Sequence, residues 1–151
     1  MSKAAELLQA KFPDEVVEVV EFRGETTIIV KPGRIVDICK ALRDAPETSF
    51  RYLSMIAGMD YLPRSPRFGV VYNLYSHRNR NRVTLKALLP DDTGPVIDSV
   101  VPVWSTANWH EREAYDLLGI RFRGHPDLRR ILMPNDWVGH PLRKDYPLRG
   151  K

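Results

Sequence analysis

The carboxylate in the most unusual setting is Glu111, in the segment AlaAsnTrpHisGluArgGluAlaTyrAspLeuLeuGlyIle at 107–120. The segment reads as a helix from about Trp109 to Leu118. At 100° per residue, Ala107, Ala114, Tyr115, Leu117 and Leu118 fall within an arc of roughly 160°, and Glu111 lies inside it. A carboxylate on an apolar face is costly unless it is paired. The expected partner is a downstream arginine, Arg129, Arg130 or Arg143, in a buried pair that pins the chain's tail to the helix. Two alternatives stand beside it: a catalytic acid or base with a pKa raised by burial, or an exposed residue at the helix start. Asn108 and Glu111 have the spacing of a capping box. Arg112 and Asp116 fall together on the other side as an i, i+4 pair, with Glu113 nearby. Gly119 suits the helix C-terminus, with Ile120 closing the cap.

The other reactive residues are dispersed. His77, His110, His125 and His140 include no i, i+3 or i, i+4 pair. His110-Glu111-Arg112-Glu113 lacks the second histidine of a zincin helix. His125-Pro126 and His140-Pro141 recur, but proline after each favours extended backbone. Their ring nitrogens are expected to bond backbone groups and fix turns in the tail. The single Cys39 permits no internal disulfide and no four-cysteine iron–sulfur cluster. Phosphate-binding glycine loops and nucleophile-elbow motifs do not occur in the sequence. No catalytic, cofactor-binding or metal site is therefore assigned.

Charge is unevenly placed. The chain sums to +4, but residues 1–120 sum to −1 and residues 121–151 to +5. Such asymmetry points to an acidic partner surface, nucleic acid or a membrane surface. The tail interleaves its cations Arg129, Arg130, Arg143 and Lys144 with Asp127, Asp136 and Asp145, and with Ile131, Leu132, Met133, Trp137, Val138, Leu142 and Tyr146. That mixture resembles an interface core more than a solvated nucleic-acid arm. Its four prolines favour an extended strap. No apolar run approaches the roughly 20 residues of a membrane span. The polar N-terminus is unlike a signal peptide.

The elements that must carry these residues read in order. Ala4 to Phe12 is a short helix. Val16–Arg23 and Thr26–Val30 form a hairpin about Gly24. A second helix follows Pro32-Gly33, with Ile35, Ile38, Cys39 and Leu42 as its buried stripe. Residues 50–57, 68–77 and 82–89 are strands, with Pro63-Arg64-Ser65-Pro66 in a loop. Residues 91–103 are expected to be partly helical. The order αββαβββ implies an α+β fold, a two-layer α/β sandwich with a mixed sheet, helices on one face. A further helix and an extended C-terminal strap complete it. The expected division is a body over residues 1–120 and a partner-binding strap over residues 121–151.

Three linked stretches resemble a known family. They are GluArgGluAlaTyrAspLeuLeuGlyIle (111–120), HisProAspLeuArgArgIleLeuMetPro (125–134) and GlyHisProLeuArgLysAspTyrProLeu (139–148). Together they are similar to the signature of the 30 kDa, or type-C, subunit of respiratory complex I. The resemblance implies a peripheral subunit of the quinone-reducing module of a proton-pumping NADH:quinone oxidoreductase, at the cytoplasmic face of the cell membrane. It implies no cofactor on this chain, with iron–sulfur clusters and FMN on partner subunits. It implies a tail that holds the large quinone-site (type-D) subunit. Next to that contact would lie the type-B subunit, which carries the terminal iron–sulfur cluster, and a neighbouring iron–sulfur subunit. It also implies that Glu111, Arg112, Glu113, Asp116, His125, Pro126, Arg129, Arg130, Trp137, His140, Arg143, Lys144, Asp145 and Tyr146 serve partner binding or the local structure. Equivalent subunits of membrane-bound hydrogenases and F420 dehydrogenases share the signature. An RNA-binding protein using the tail and the Arg78/Arg80/Arg82 loop, and a small hydrolase using Glu111, are the readings from other classes.

Overall fold

The computed structural model describes residues 2–146. Ser2 starts the first helix: its Oγ accepts the Ala5 amide at 3.1 Å, and α1 runs Lys3–Lys11 until Pro13 bars its continuation. Strands β1 (Val16–Phe22) and β2 (Glu25–Val30) meet at Arg23-Gly24. Both turn residues have positive φ, 52° and 80°, which gives the two-residue turn whose twist matches a hairpin. A single 3-10 turn, Pro32–Arg34, leads into α2 (Ile35–Asp44). Its residues Ile35, Ile38, Cys39 and Leu42 are fully buried, as their helical spacing requires.

Strands β3 (Tyr52–Asp60), β4 (Phe68–Ser76) and β5 (Asn81–Leu89) complete the main sheet, in the order β1-β2-β5-β4-β3. The pairing of β2 with β5 is parallel and the others are antiparallel, so the sheet is mixed. Period-two alternation gives it one covered face. Ile28, Val30, Val70, Tyr72, Leu74, Leu85 and Ala87 point to the helices and are buried. Thr27, Ile29, Val71, Asn73, Thr84 and Lys86 take the other face, which no helix among the described residues covers and where each is only partly buried. The α+β sandwich expected from the sequence is the fold observed.

The segment 91–103 departs from expectation. Asp91 Oδ1 accepts the amides of Thr93 and Gly94, closing a turn in place of a helix start. Strand β6 (Val96–Asp98) then pairs in parallel with β7 (Arg121–Arg123). Gly94-Pro95 and the β-branched Val96-Ile97 disfavour helix. Between the two strands runs α3 (Ala107–Leu118), which packs on β3. An ideal Cβ on Gly58 of β3 would lie 2.7 Å from Leu118 Cδ1 and 3.0 Å from Ile120 Cδ1, so glycine allows this close approach. Arg121–Arg123, the first residues of the expected strap, are thus part of a sheet, with Phe122 buried.

Candidate functional site

Helix α3 is buried on two sides. Its apolar face lies on the sheet, and the tail covers much of the rest. Glu111 is completely buried, yet its partner is not an arginine. Its carboxylate accepts the Ser99 hydroxyl at 2.6 Å and the Val100 amide at 2.8 Å. The expected pairing with Arg129, Arg130 or Arg143 is corrected. The two neutral donors fix the loop after β6 to α3. The capping box is corrected too: the helix begins at Ala107, and Glu111 bonds across to the loop rather than back to its own N-terminus. Burial raises the Glu111 pKa to about 7, against the lowering effect of its two hydrogen bonds.

The buried ion pair belongs to Asp116, which sequence reading placed with Arg112 on the other side of the helix. Arg130 Nη1 donates to Asp116 Oδ1 at 2.6 Å, with the carboxylate wholly buried. Asp116 Oδ2 accepts three successive amides, from Ile131, Leu132 and Met133, at 3.2, 2.7 and 2.9 Å. Burial alone would push this carboxyl up. The Met133 amide, Arg130 and the other two amides outweigh burial and hold it below its ordinary value. Arg112 instead donates to the carbonyls of Arg129 and Arg130. The i, i+4 pairing fails because the tail lies between helix and water and offers both residues better partners.

Further along, the tail returns to the C-terminus of α3. His140 Nδ1 bonds the Asp116 carbonyl at 2.9 Å, and burial holds its pKa below the ordinary histidine value. Arg143 Nε donates to the Leu118 carbonyl at 2.7 Å, and its guanidinium stacks 5.1 Å from the Phe68 ring centre. The Arg143 cation suits the carbonyl end of a helix. His125 accepts the Asp127 amide on Nδ1, which leaves its Nε2–H to donate to the Asn108 carbonyl. Both His-Pro histidines therefore fix tail backbone.

A second anchor involves residues that the sequence did not single out. Arg67 forms ion pairs with Asp60 at 2.8 Å and Asp145 at 2.7 Å, while Asp60 also accepts the Lys144 amide at 2.8 Å. Lys144 Nζ donates to the Leu62 carbonyl. The Arg67 guanidinium holds the Asp60 carboxyl well below its ordinary pKa. Asp60 and Arg67 flank the proline loop, and that location was the only signal available. Arg129 pairs locally with Asp127. Pro126 sits in an exposed turn, Glu113 lines the shallow groove between α3 and β3 beside Leu142, and Tyr146 closes the final described turn through its amide. Pro147 and Leu148 of the third motif, with Arg149 and Lys151, lie outside the described residues.

The tail between Gly124 and Tyr146 holds no helix or strand, yet it is tied at several points. Among the residues it presents outward, beside the charged Asp127, Arg129, Asp136, Lys144 and Asp145, are large apolar ones: Val138 is 90% exposed, Leu142 60%, Leu132 53% and Trp137 36%. Among the described residues no three His, Cys, Asp or Glu side chains converge as metal ligands would. Cys39 is buried in the core, and burial raises its thiol pKa well above the ordinary range.

The sequence profile of the respiratory-chain NADH dehydrogenase 30 kDa subunit matches residues 28–151, which include α3 and the whole tail. The chain belongs to this family. It is 52% identical over 149 residues to the type-C subunit of NADH-quinone oxidoreductase from Geotalea uraniireducens, covering 99% of this chain and 89% of that protein. It is 52% identical over 143 residues to the corresponding type-C subunit from Roseiflexus sp. strain RS-1, covering 95% and 82%. The solved trypsin-resistant fragment of Nqo5 superposes with a TM-score of 0.66 at 30% identity, covering 85% of this chain and all of that one. In this member of the 30 kDa family, the tail is shaped by buried carboxylates on the body.

Proposed function

We propose that this chain is a peripheral, cofactor-free component of the quinone-reducing module of a proton-pumping NADH:quinone oxidoreductase, and that its tail seats the large quinone-site (type-D) subunit. The type-B subunit and the neighbouring iron–sulfur subunit adjoin that contact. Clusters and FMN reside on partner subunits, and the chain reaches the cytoplasmic face of the membrane through the complex. Among the described residues no helix is long and apolar enough to cross a membrane.

One observation carries the reading. Buried or half-buried charges fix the tail's course, Arg130 on the body's Asp116 and Arg143 on the Leu118 carbonyl, while Leu132, Trp137, Val138 and Leu142 are left in water. Exposed apolar groups on a pre-shaped segment lower the ordering cost of association and favour a protein partner. The inward use of Arg130 and Arg143 also argues against a nucleic-acid arm, which would turn them out.

The test is recovery of the large quinone-site subunit on the immobilised chain. Trp137→Ala and Val138→Asp are expected to weaken recovery by tenfold or more, as truncation of central interface residues costs about 2 kcal/mol or above. Both sites are exposed, so the melting temperature should stay near wild type. Undiminished recovery with both variants would reject the tail as the seat of the contact.

A further inference from the structure

Of the two edge strands of the main sheet, β1 and β3, the acidic one is β1. Its residues are ValValGluValValGluPhe, with no proline and no lysine to discourage pairing. Val17 is 60% exposed and Phe22 64%. Between Asp14 and Glu25 stand five acids, Asp14, Glu15, Glu18, Glu21 and Glu25, against one base, Arg23, in a chain that is positive overall. Among the described residues none of these five acids takes part in a salt bridge. The edge precedes all of the residues that the family profile matches, 28–151.

The backbone is presented for pairing. In a two-residue hairpin the residues flanking the turn, here Phe22 and Glu25, bond each other, and bonding alternates from there. Phe22, Val20 and Glu18 therefore turn their main chain to β2. Glu21 and Val19 turn theirs outward. A second copy is a poor occupant, because it would bring together two acidic stretches, each with the five acids and the single base of residues 14–25.

We infer that β1 is a strand-addition site that receives an extended basic segment, in which Lys or Arg accompany aliphatic residues, from another protein of the assembly. The main chain of Val19 and Glu21 supplies the ladder, the acids match the cations, and Val17, Val20 and Phe22 take the aliphatic side chains. This inference rests on the assembly reading above.

The experiment compares amide exchange in the free chain and in the purified assembly, with carbodiimide coupling of carboxylates to lysines in the latter. The Val19 and Glu21 amides are expected to exchange at least about tenfold more slowly in the assembly. Coupling is expected to join Glu18 or Glu21 to a lysine of another chain. Glu21→Pro removes only an outward-facing N–H, so it preserves the β1–β2 ladder; it should abolish protection at Val19. Glu18→Lys with Glu21→Lys should abolish it by charge. Equal exchange at Val19 in free chain and assembly, or protection that survives both variants, would overturn the inference. Protection of the Leu132 and Leu142 amides reports separately on the tail. If those are protected while β1 is not, the inference fails and the assembly reading stands. If β1 alone is protected, the tail reading fails.

Discussion

Two carboxylates on one helix show how burial and partner choice set opposite behaviour. Glu111 has two neutral donors, so burial dominates and its pKa rises to about 7. Asp116 has an arginine and three amides, so its pKa falls. The folded chain therefore holds a proton on Glu111 that the unfolded chain releases from about pH 4.5 upward. Stability owed to this group is complete below that value and declines until the pH passes about 7. The loss is of order 3 kcal/mol. Glu111→Gln keeps an acceptor for the Val100 amide and gives a donor to Ser99, without the titration. Subtracting its unfolding free energy from the wild-type value at each pH should leave a difference that falls between pH 4.5 and 7 and is flat above. A flat difference throughout would mean that Glu111 is ionised at all these pH values. The sequence made the burial of Glu111 legible through its helical phase. It could not identify Ser99, twelve residues upstream, because no periodicity links a loop hydroxyl to a helix carboxylate. Asp116 was misread for a related reason. A helical wheel assumes one wet face, and here the tail dries the second.

At the scale of elements, local pattern served where an element's partner is its sequence neighbour. The β1–β2 hairpin, the buried stripe of α2 and the alternation of β4 and β5 were all readable. The strand β6 was not, because its partner, β7, begins 23 residues after β6 ends and neither is long enough to show a period. The helix terminus at Gly119 was legible, but its second duty was not. With φ at +78°, an ideal Cβ there would lie 2.5 Å from Arg143 Nη2 and 2.7 Å from His140 Cδ2. Gly119→Ala is therefore expected to cost about 1–2 kcal/mol from the left-handed backbone alone. It should also displace Arg143 from the Leu118 carbonyl. Limited trypsin digestion would then cut after Arg143 or Lys144 faster than in wild type, while sites within the sheet stay protected. Unchanged cleavage there would show that the cap and the tail are not coupled.

For the whole molecule, the division of labour lies between a core that ends at Phe122 and a tail that borrows its shape from that core. Among the described residues the buried apolar cluster runs from Ala4 to Phe122, with only Leu128 of the tail packed against it. Truncation after Gly124 retains β7, the Glu111–Ser99 tie and the Asp60–Arg67 pair. It removes Arg130 together with the amides that satisfy Asp116, but it also returns Asp116 to water, so that carboxylate is not stranded. The truncated chain should therefore unfold cooperatively, with a loss of about 1–3 kcal/mol for the missing tail contacts. Its recovery of the large quinone-site subunit should nevertheless be abolished at both low and high salt. The full-length chain should retain recovery at high salt, because Leu132, Trp137, Val138 and Leu142 are not screened as exposed charges are. Calorimetry of the truncated chain and a pull-down at two salt concentrations separate the alternatives. A truncated chain that fails to fold would place the tail within the folding unit. A full-length contact that disappears at moderate salt would make the tail's positive charge, rather than its apolar side chains, the basis of recognition.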